Sequence, residues 1–108
     1  MLAFVRARLV LFSVPKTGTT ALESALAGRA ELILRSRPEI KHLNLRQYHA
    51  HVAPILRMIP GQRFETVAVI RDPVDWLGSW YRYRSRADLV GRPNSTAHVS
   101  FDRFVEDY

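Results

Sequence analysis

The 108 residues contain no cysteine and few glycines, and 14 of the 16 basic side chains are arginine. Without cysteine, neither a disulfide scaffold nor a thiolate metal site can form. The four histidines do not fall at ligand spacing. His49 and His51 alternate in a way that splits them across a helix, so no metal site is expected. A long apolar run is also missing. Met1 to Phe12 is apolar, but it is too short to span a bilayer and is interrupted by Arg6 and Arg8. No small-residue cleavage site follows it, so it does not read as a secretory signal. A cytoplasmic protein without membrane attachment is the expectation. There are no internal repeats and no low-complexity tracts.

What is present is ordinary globular chemistry, with 47% hydrophobic and 24% charged residues. The length allows at most one domain, residues 1–108, small for an α/β design. The net charge of +6 rests almost wholly on arginine. Arginine pairs bidentately with phosphate, which suits a phosphate-bearing ligand and equally suits nucleic acid.

The chain is organised around Val14-Pro15-Lys16-Thr17-Gly18-Thr19-Thr20, directly behind the apolar run Leu9–Phe12. An apolar β-forming run, a Pro/Gly loop and then Ala21–Leu26 read as strand, tight loop, helix. Thr20 and Glu23 have the spacing of a capping box, and Gly28 is expected to stop the helix. Such a loop aims backbone N–H groups and the positive end of the helix dipole at one point, which suits phosphate or sulfate. Gly18 permits close approach, Lys16 brings charge, and Thr17, Thr19 and Thr20 bring hydroxyl donors. A Walker A loop does not match, because Lys16 precedes the glycine and the first glycine is absent. Without a ligand the segment would be a plain strand-to-helix turn.

Further on, Ala30–Leu34 is expected to be a short strand, and Asn44–Ile59 one amphipathic helix or two, with Pro54 kinking it or opening a new first turn. Phe64–Ile70 reads as a central strand buried on both faces. Asp72-Pro73 then opens a helix through Tyr83, and Ser100 caps a last one over Phe101–Tyr108. Two strand–loop–helix units predict parallel strands with right-handed crossovers, in a three-layer α/β/α arrangement with a short parallel, P-loop-like sheet. Arg71 ends the second strand, and Ser79 lies about two turns along the helix on the side of its cap, so the two side chains can share one phosphate. The plainer expectation pairs Arg71 with Asp72 or Asp75.

Pro15-Lys16-Thr17-Gly18-Thr19-Thr20, followed by Arg71-Asp72-Pro73 and a serine eight residues after the arginine, resembles the sulfotransferases that use 3′-phosphoadenosine-5′-phosphosulfate (PAPS). The segment Trp76–Arg84 looks like the bacterial sulfotransferase-like branch. The resemblance covers about residues 8–86. It implies that Lys16, Thr17, Gly18, Thr19 and Thr20 hold the 5′-phosphosulfate, that Arg71 and Ser79 hold the 3′-phosphate, and that Lys16 also acts in catalysis. A Lys-His segment near the acceptor makes His42 the candidate base; His49, His51 and His98 have weaker claims. No metal is required, and the acceptor is a small molecule or a glycan carrying a hydroxyl or amine. Members of the family continue past this length, so the domain is expected to be cut short at its C-terminal end, with an exposed strand edge that favours self-association. Two rivals stand beside this reading. One is a P-loop kinase, which needs magnesium and an acidic ligand. The other is a basic nucleotide- or nucleic-acid-binding module built on Arg82, Arg84 and Arg86 interleaved with Trp80, Tyr81 and Tyr83. Asn94-Ser95-Thr96 matches a glycosylation acceptor but reads as a loop.

Overall fold

The structure, a computed structural model, describes residues 1–61 and 63–108. It is a mixed α/β chain of two compact units, Met1–Ile70 and Arg71–Tyr108.

The first unit is built on a four-stranded sheet. Its strands are β1 (Leu2–Phe4), β2 (Leu9–Phe12), β3 (Leu32–Ile33) and β4 (Glu65–Ala68), in the order β3-β1-β2-β4. Only β2 and β4 run parallel, with Leu9 opposite Glu65 and Phe12 opposite Ala68. The other two pairings, β1 with β2 and β1 with β3, are antiparallel. An all-parallel sheet is therefore not what forms. The cause is Arg6-Ala7-Arg8, which breaks the first apolar run into a hairpin. The Arg8 amide donates to Val5 O (3.1 Å), and Arg8 sits at φ 53. The new strand β1 then captures β3 on its outer side.

That capture leaves β4 at an edge. All four of its residues are exposed, as are Val69 and Ile70 beyond it, so the expectation of a central strand buried on both faces is wrong. Its apolar composition matches that of a buried strand, but composition cannot report which neighbour the preceding chain chooses.

Between the strands, α1 spans Thr19–Leu26 and runs into a 3₁₀ turn over Ala27–Arg29, so Gly28 lies within a turn and is not a terminal cap. A short α2 (Pro38–Lys41) leads to a helical stretch from Leu45 to Leu56. Asn44 caps this stretch with a full capping box: its side chain accepts from the Gln47 amide (2.9 Å), and Gln47 Oε1 accepts from the Asn44 amide (3.0 Å). The stretch begins as α3 (Leu45–Gln47), widens into a π turn at Tyr48–Val52, and resumes as α4 (Ala53–Leu56). Pro54 falls in the first turn of α4, where its missing N–H costs nothing, as the sequence indicated. Tyr48, Val52, Ala53 and Leu56 lie against Met1, Ala3, Val10 and Phe12 on one sheet face and form the core. The Phe12 and Tyr48 rings meet edge to face at 5.4 Å. Leu2 and Leu11, paired across the strands and pointing to the other face, are buried as well.

The second unit is a helix pair, α5 (Pro73–Arg84) and α6 (Phe101–Glu106), joined by a segment with a short 3₁₀ turn. Asp72 caps α5 by accepting from the Val74 and Asp75 amides (both 3.0 Å), and Ser100 caps α6 by accepting from Arg103 (3.2 Å). The connecting segment is tied back to α5. Tyr81 Oη donates to Val99 O (2.6 Å), and Thr96 Oγ1 donates to Tyr81 O (2.7 Å).

Candidate functional site

Six residues, Ser13 to Gly18, carry the chain from β2 into α1. The reversal uses two left-handed residues, Lys16 at φ 65 and Gly18 at φ 78. For Gly18 this conformation is free, whereas a lysine holding it costs about 1–2 kcal/mol. Thr17 Oγ1 donates to Val14 O (2.8 Å), and Thr19 Oγ1 reaches the same carbonyl (3.5 Å). Two of the three expected hydroxyl donors are thus engaged in closing the loop on itself.

Gly18, with no side chain to offer, is the N-cap of α1, and no side-chain hydrogen bond caps the helix. The Thr20–Glu23 capping box does not form. The helix has already begun at Thr19, so Thr20 lies inside it, and Glu23 turns inward. The first-turn amides of α1 consequently have no intrahelical acceptor and no side-chain cap. Lys41, from the end of α2, stands over this turn, its Nζ 3.2 Å from Thr20 Oγ1 and 3.3 Å from Glu23 Oε2. Sequence reasoning singled out the Lys41-His42 pair only for its histidine. The signal for Lys41 was there, a basic residue next to a candidate base, but its partner lies 21 residues away.

Glu23 is almost fully buried and anchors a charged cluster. It accepts a short hydrogen bond from Ser13 Oγ and faces Lys41 Nζ and the Met1 ammonium (3.5 Å). That ammonium is itself buried, donating to Ser13 Oγ (3.0 Å), Leu34 O (2.8 Å) and Lys41 O (3.0 Å). Burial pushes the Glu23 carboxyl up. The Ser13 and Lys41 hydrogen bonds and the two positive charges outweigh it and hold the group below its ordinary value.

Ser13 also faces His42. The His42 Nδ1 lies 2.6 Å from Ser13 O. A carbonyl oxygen only accepts, so Nδ1 carries the proton, and in the neutral ring Nε2 is left as an acceptor. His42 lines a cleft of about 410 Å³ at the carboxyl ends of the parallel strands β2 and β4, which also borders Ser13, Val14, Pro15 and Thr66. Within this first unit, the structure therefore brings together Lys16, Thr17, Gly18, Thr19, Thr20 and Lys41 around the start of α1, with His42 joined to the same loop through Ser13.

Arg71 and Ser79 belong to the second unit. Arg71 Nε donates to Asp75 Oδ2 at 2.7 Å, the plainer of the two expectations, and this bond holds the Asp75 carboxyl below its ordinary value. Asp75 and Ser79 are one turn apart on α5, so the arginine lies along the helix face that carries the serine. The aromatic–arginine segment is turned toward its own unit. Arg84 covers the Trp80 and Phe104 rings at 5.2 and 5.6 Å, and Arg86 covers Tyr83 at 4.8 Å. Trp80 meets Trp76 and Tyr83 edge to face.

Among the described residues no three histidine or acidic side chains gather as a metal site, and no helix is long and apolar enough to cross a membrane. Compared with protein-family models, curated proteins and solved structures, the chain matches none.

Proposed function

We propose that the chain is a sulfotransferase-like protein that binds PAPS and passes its sulfuryl group to a hydroxyl or amine acceptor. The observation that carries this reading is the uncapped start of α1, wrapped by a loop with two left-handed residues and attended by Lys41. First-turn amides without a side-chain cap, a helix N-terminus and lysine charge at one point favour a phosphosulfate. In this reading the mixed sheet is the centre of a three-layer, P-loop-like domain.

Lys16 and the first-turn amides of α1 steady the charge that develops on the bridging oxygen as the sulfur–oxygen bond to the nucleotide breaks. The acceptor oxygen or nitrogen forms the new bond to sulfur, its proton passes to His42 Nε2, and the 3′,5′-bisphosphate (PAP) leaves. Ser13 O fixes the tautomer this requires. Arg71 and Ser79 take the 3′-phosphate, for which Arg71 must loosen its hold on Asp75.

The test is calorimetric titration with PAP and, in parallel, with magnesium-ATP. Saturable PAP binding that is lost in Arg71→Ala is expected, with Lys16→Ala lowering turnover more than affinity. A preference for magnesium-ATP would move the protein to the kinases, and binding of neither would sink the nucleotide site. The rival nucleic-acid module needs its aromatic rings and arginines free for bases and phosphates, and the packing of Arg84 and Arg86 on those rings argues against it.

A further inference from the structure

We infer that the chain binds a small apolar monocarboxylate at the amino end of β2, in a cleft between the β1–β2 hairpin and the turn after α1. The apolar part of the site follows from strand register. Phe4 pairs with Leu9 and Leu2 with Leu11, and alternation puts all four side chains on one sheet face. Cover along that face stops short. Leu2 and Leu11 are buried, whereas Phe4 and Leu9, next to the hairpin turn, are only partly so. Leu26 at the end of α1 and Ala30 just past the 3₁₀ turn, both half-buried, line the same open cleft of about 700 Å³. A ligand of one ring or a short chain would displace water from this surface, and the volume is ordinary for a small-molecule pocket.

The charge comes from two arginines. Arg6, in the hairpin turn, and Arg29, in the 3₁₀ turn, border the cleft, and both are exposed. Among the described residues neither side chain takes part in a hydrogen bond, an ion pair or a ring contact. Both are thus available to a carboxylate, which a guanidinium can pair with bidentately. The acid that borders the cleft, Glu31, is already engaged, its Oε2 accepting from the Val5 amide (2.8 Å). Two guanidinium charges against one carboxylate leave a surplus of one. A monocarboxylate balances that surplus, whereas the two charges of a phosphate monoester exceed it. An ammonium ligand would meet two like charges.

The cleft shares no residue with the loop before α1, with Lys41 or with His42. It lies where β2 begins, and the loop lies where β2 ends. The inference therefore goes beyond the sulfuryl-transfer reading and does not depend on it.

The experiment is calorimetric titration of the whole chain with 4-phenylbutyrate, 4-phenylbutan-1-ol, 4-phenylbutan-1-amine and acetate, with the leucine methyl resonances followed by NMR. Saturable binding of 4-phenylbutyrate is expected, with a Kd of about 1 mM or tighter. The Leu9 and Leu26 methyl resonances should shift, and those of Leu45 should not. The alcohol should bind about tenfold more weakly for want of the charge, and the amine more weakly still. Acetate, with no apolar body, should give no measurable binding. Arg6→Gln and Arg29→Gln change exposed side chains without partners, so both variants fold. Each should weaken 4-phenylbutyrate about threefold and the two together about tenfold, with the alcohol unaffected. Glu31→Gln keeps an acceptor for the Val5 amide and removes the opposing charge, so it should tighten 4-phenylbutyrate by about twofold. No saturation by 4-phenylbutyrate, equal binding of the alcohol, or indifference to the double arginine variant would overturn the inference. So would displacement of 4-phenylbutyrate by PAP, which would place the carboxylate in the loop before α1. Retention of the chain on vesicles of equal parts phosphatidylglycerol and phosphatidylcholine, without 4-phenylbutyrate binding, would overturn it as well and make the arginines a lipid contact. Binding of 4-phenylbutyrate at Leu9 and Leu26 without PAP binding would uphold the cleft and defeat the nucleotide reading. PAP binding without 4-phenylbutyrate binding would do the reverse.

Discussion

Glu23 shows how a single residue acquires its role from neighbours far away in sequence. Its spacing from Thr20 fits a helix cap, yet its carboxylate lies inside the fold between Ser13, Lys41 and the Met1 ammonium. Capping is a local competition, and here a buried set of three donors outweighs one exposed backbone amide. The consequence for stability has a definite sign. The folded-state pKa of Glu23 is below its ordinary value of 4.5. The folded chain therefore binds this proton less readily than the unfolded chain does. The stabilisation is fully present above the unfolded value and is lost as pH falls through the lower folded one. Thermal unfolding of the chain should give a Tm that declines as pH drops below about 4.5. Glu23→Gln should flatten that decline and reduce stability by about 3 kcal/mol at neutral pH, the usual cost of stranding buried charges. An unchanged acid slope in Glu23→Gln would show that the cluster does not carry the pH dependence.

The elements divide by how local their causes are. The α5 start at Asp72-Pro73, the first turn at Pro54 and the Ser100 cap each depend on a few adjacent residues, and each forms where the sequence points, whereas α1 starts at Gly18 and not at the Thr20 cap its spacing suggested. The strand pairings do not. Arg6-Ala7-Arg8 contains no glycine, asparagine or proline, so the hairpin turn that creates β1 is silent as a motif. Once β1 exists, β3 has a partner away from β4, and the strand expected at the centre of the sheet is left at an edge. The candidate site divides in the same way. The loop residues and His42 are legible from composition and order. Lys41 over α1, the Ser13 carbonyl on His42 and the apolar cleft depend on tertiary contacts that no spacing reports.

Arg71 is a case where one element carries both the proposed site and its restraint. Its guanidinium is bonded to Asp75, one turn before Ser79 on α5. Any 3′-phosphate must compete with that carboxylate for the same donor. Asp75→Asn should therefore raise PAP affinity, though by no more than about fivefold, because a solvent-exposed ion pair holds its partner only weakly. The α5 cap belongs to Asp72, so helicity should be unaffected. Titration of the Asp75→Asn chain with PAP decides it. A fall in affinity would mean that Asp75 orients Arg71 for the ligand instead of holding it back.

At the scale of the whole chain, the charge of +6 and the predominance of arginine fit two ligands of different extent. A nucleotide offers charge at two or three points, whereas a nucleic-acid strand offers it along a line. The distinction is measurable because each backbone phosphate neutralised releases condensed counterions, so affinity for a polymer falls steeply with salt. A compact bisphosphate has no condensed atmosphere to release, and only ordinary screening weakens its binding. Raising salt from 50 to 200 mM should lower PAP affinity by less than about tenfold, against about a thousandfold for a strand contacted at six or more phosphates. The expected outcome is a shallow salt dependence for PAP, with binding of a 20-nucleotide strand weak at 50 mM and lost at 200 mM. Tight strand binding with the steep slope, together with weak PAP binding, would mean that the arginines serve a polyanion surface and that the loop before α1 is a turn without a ligand.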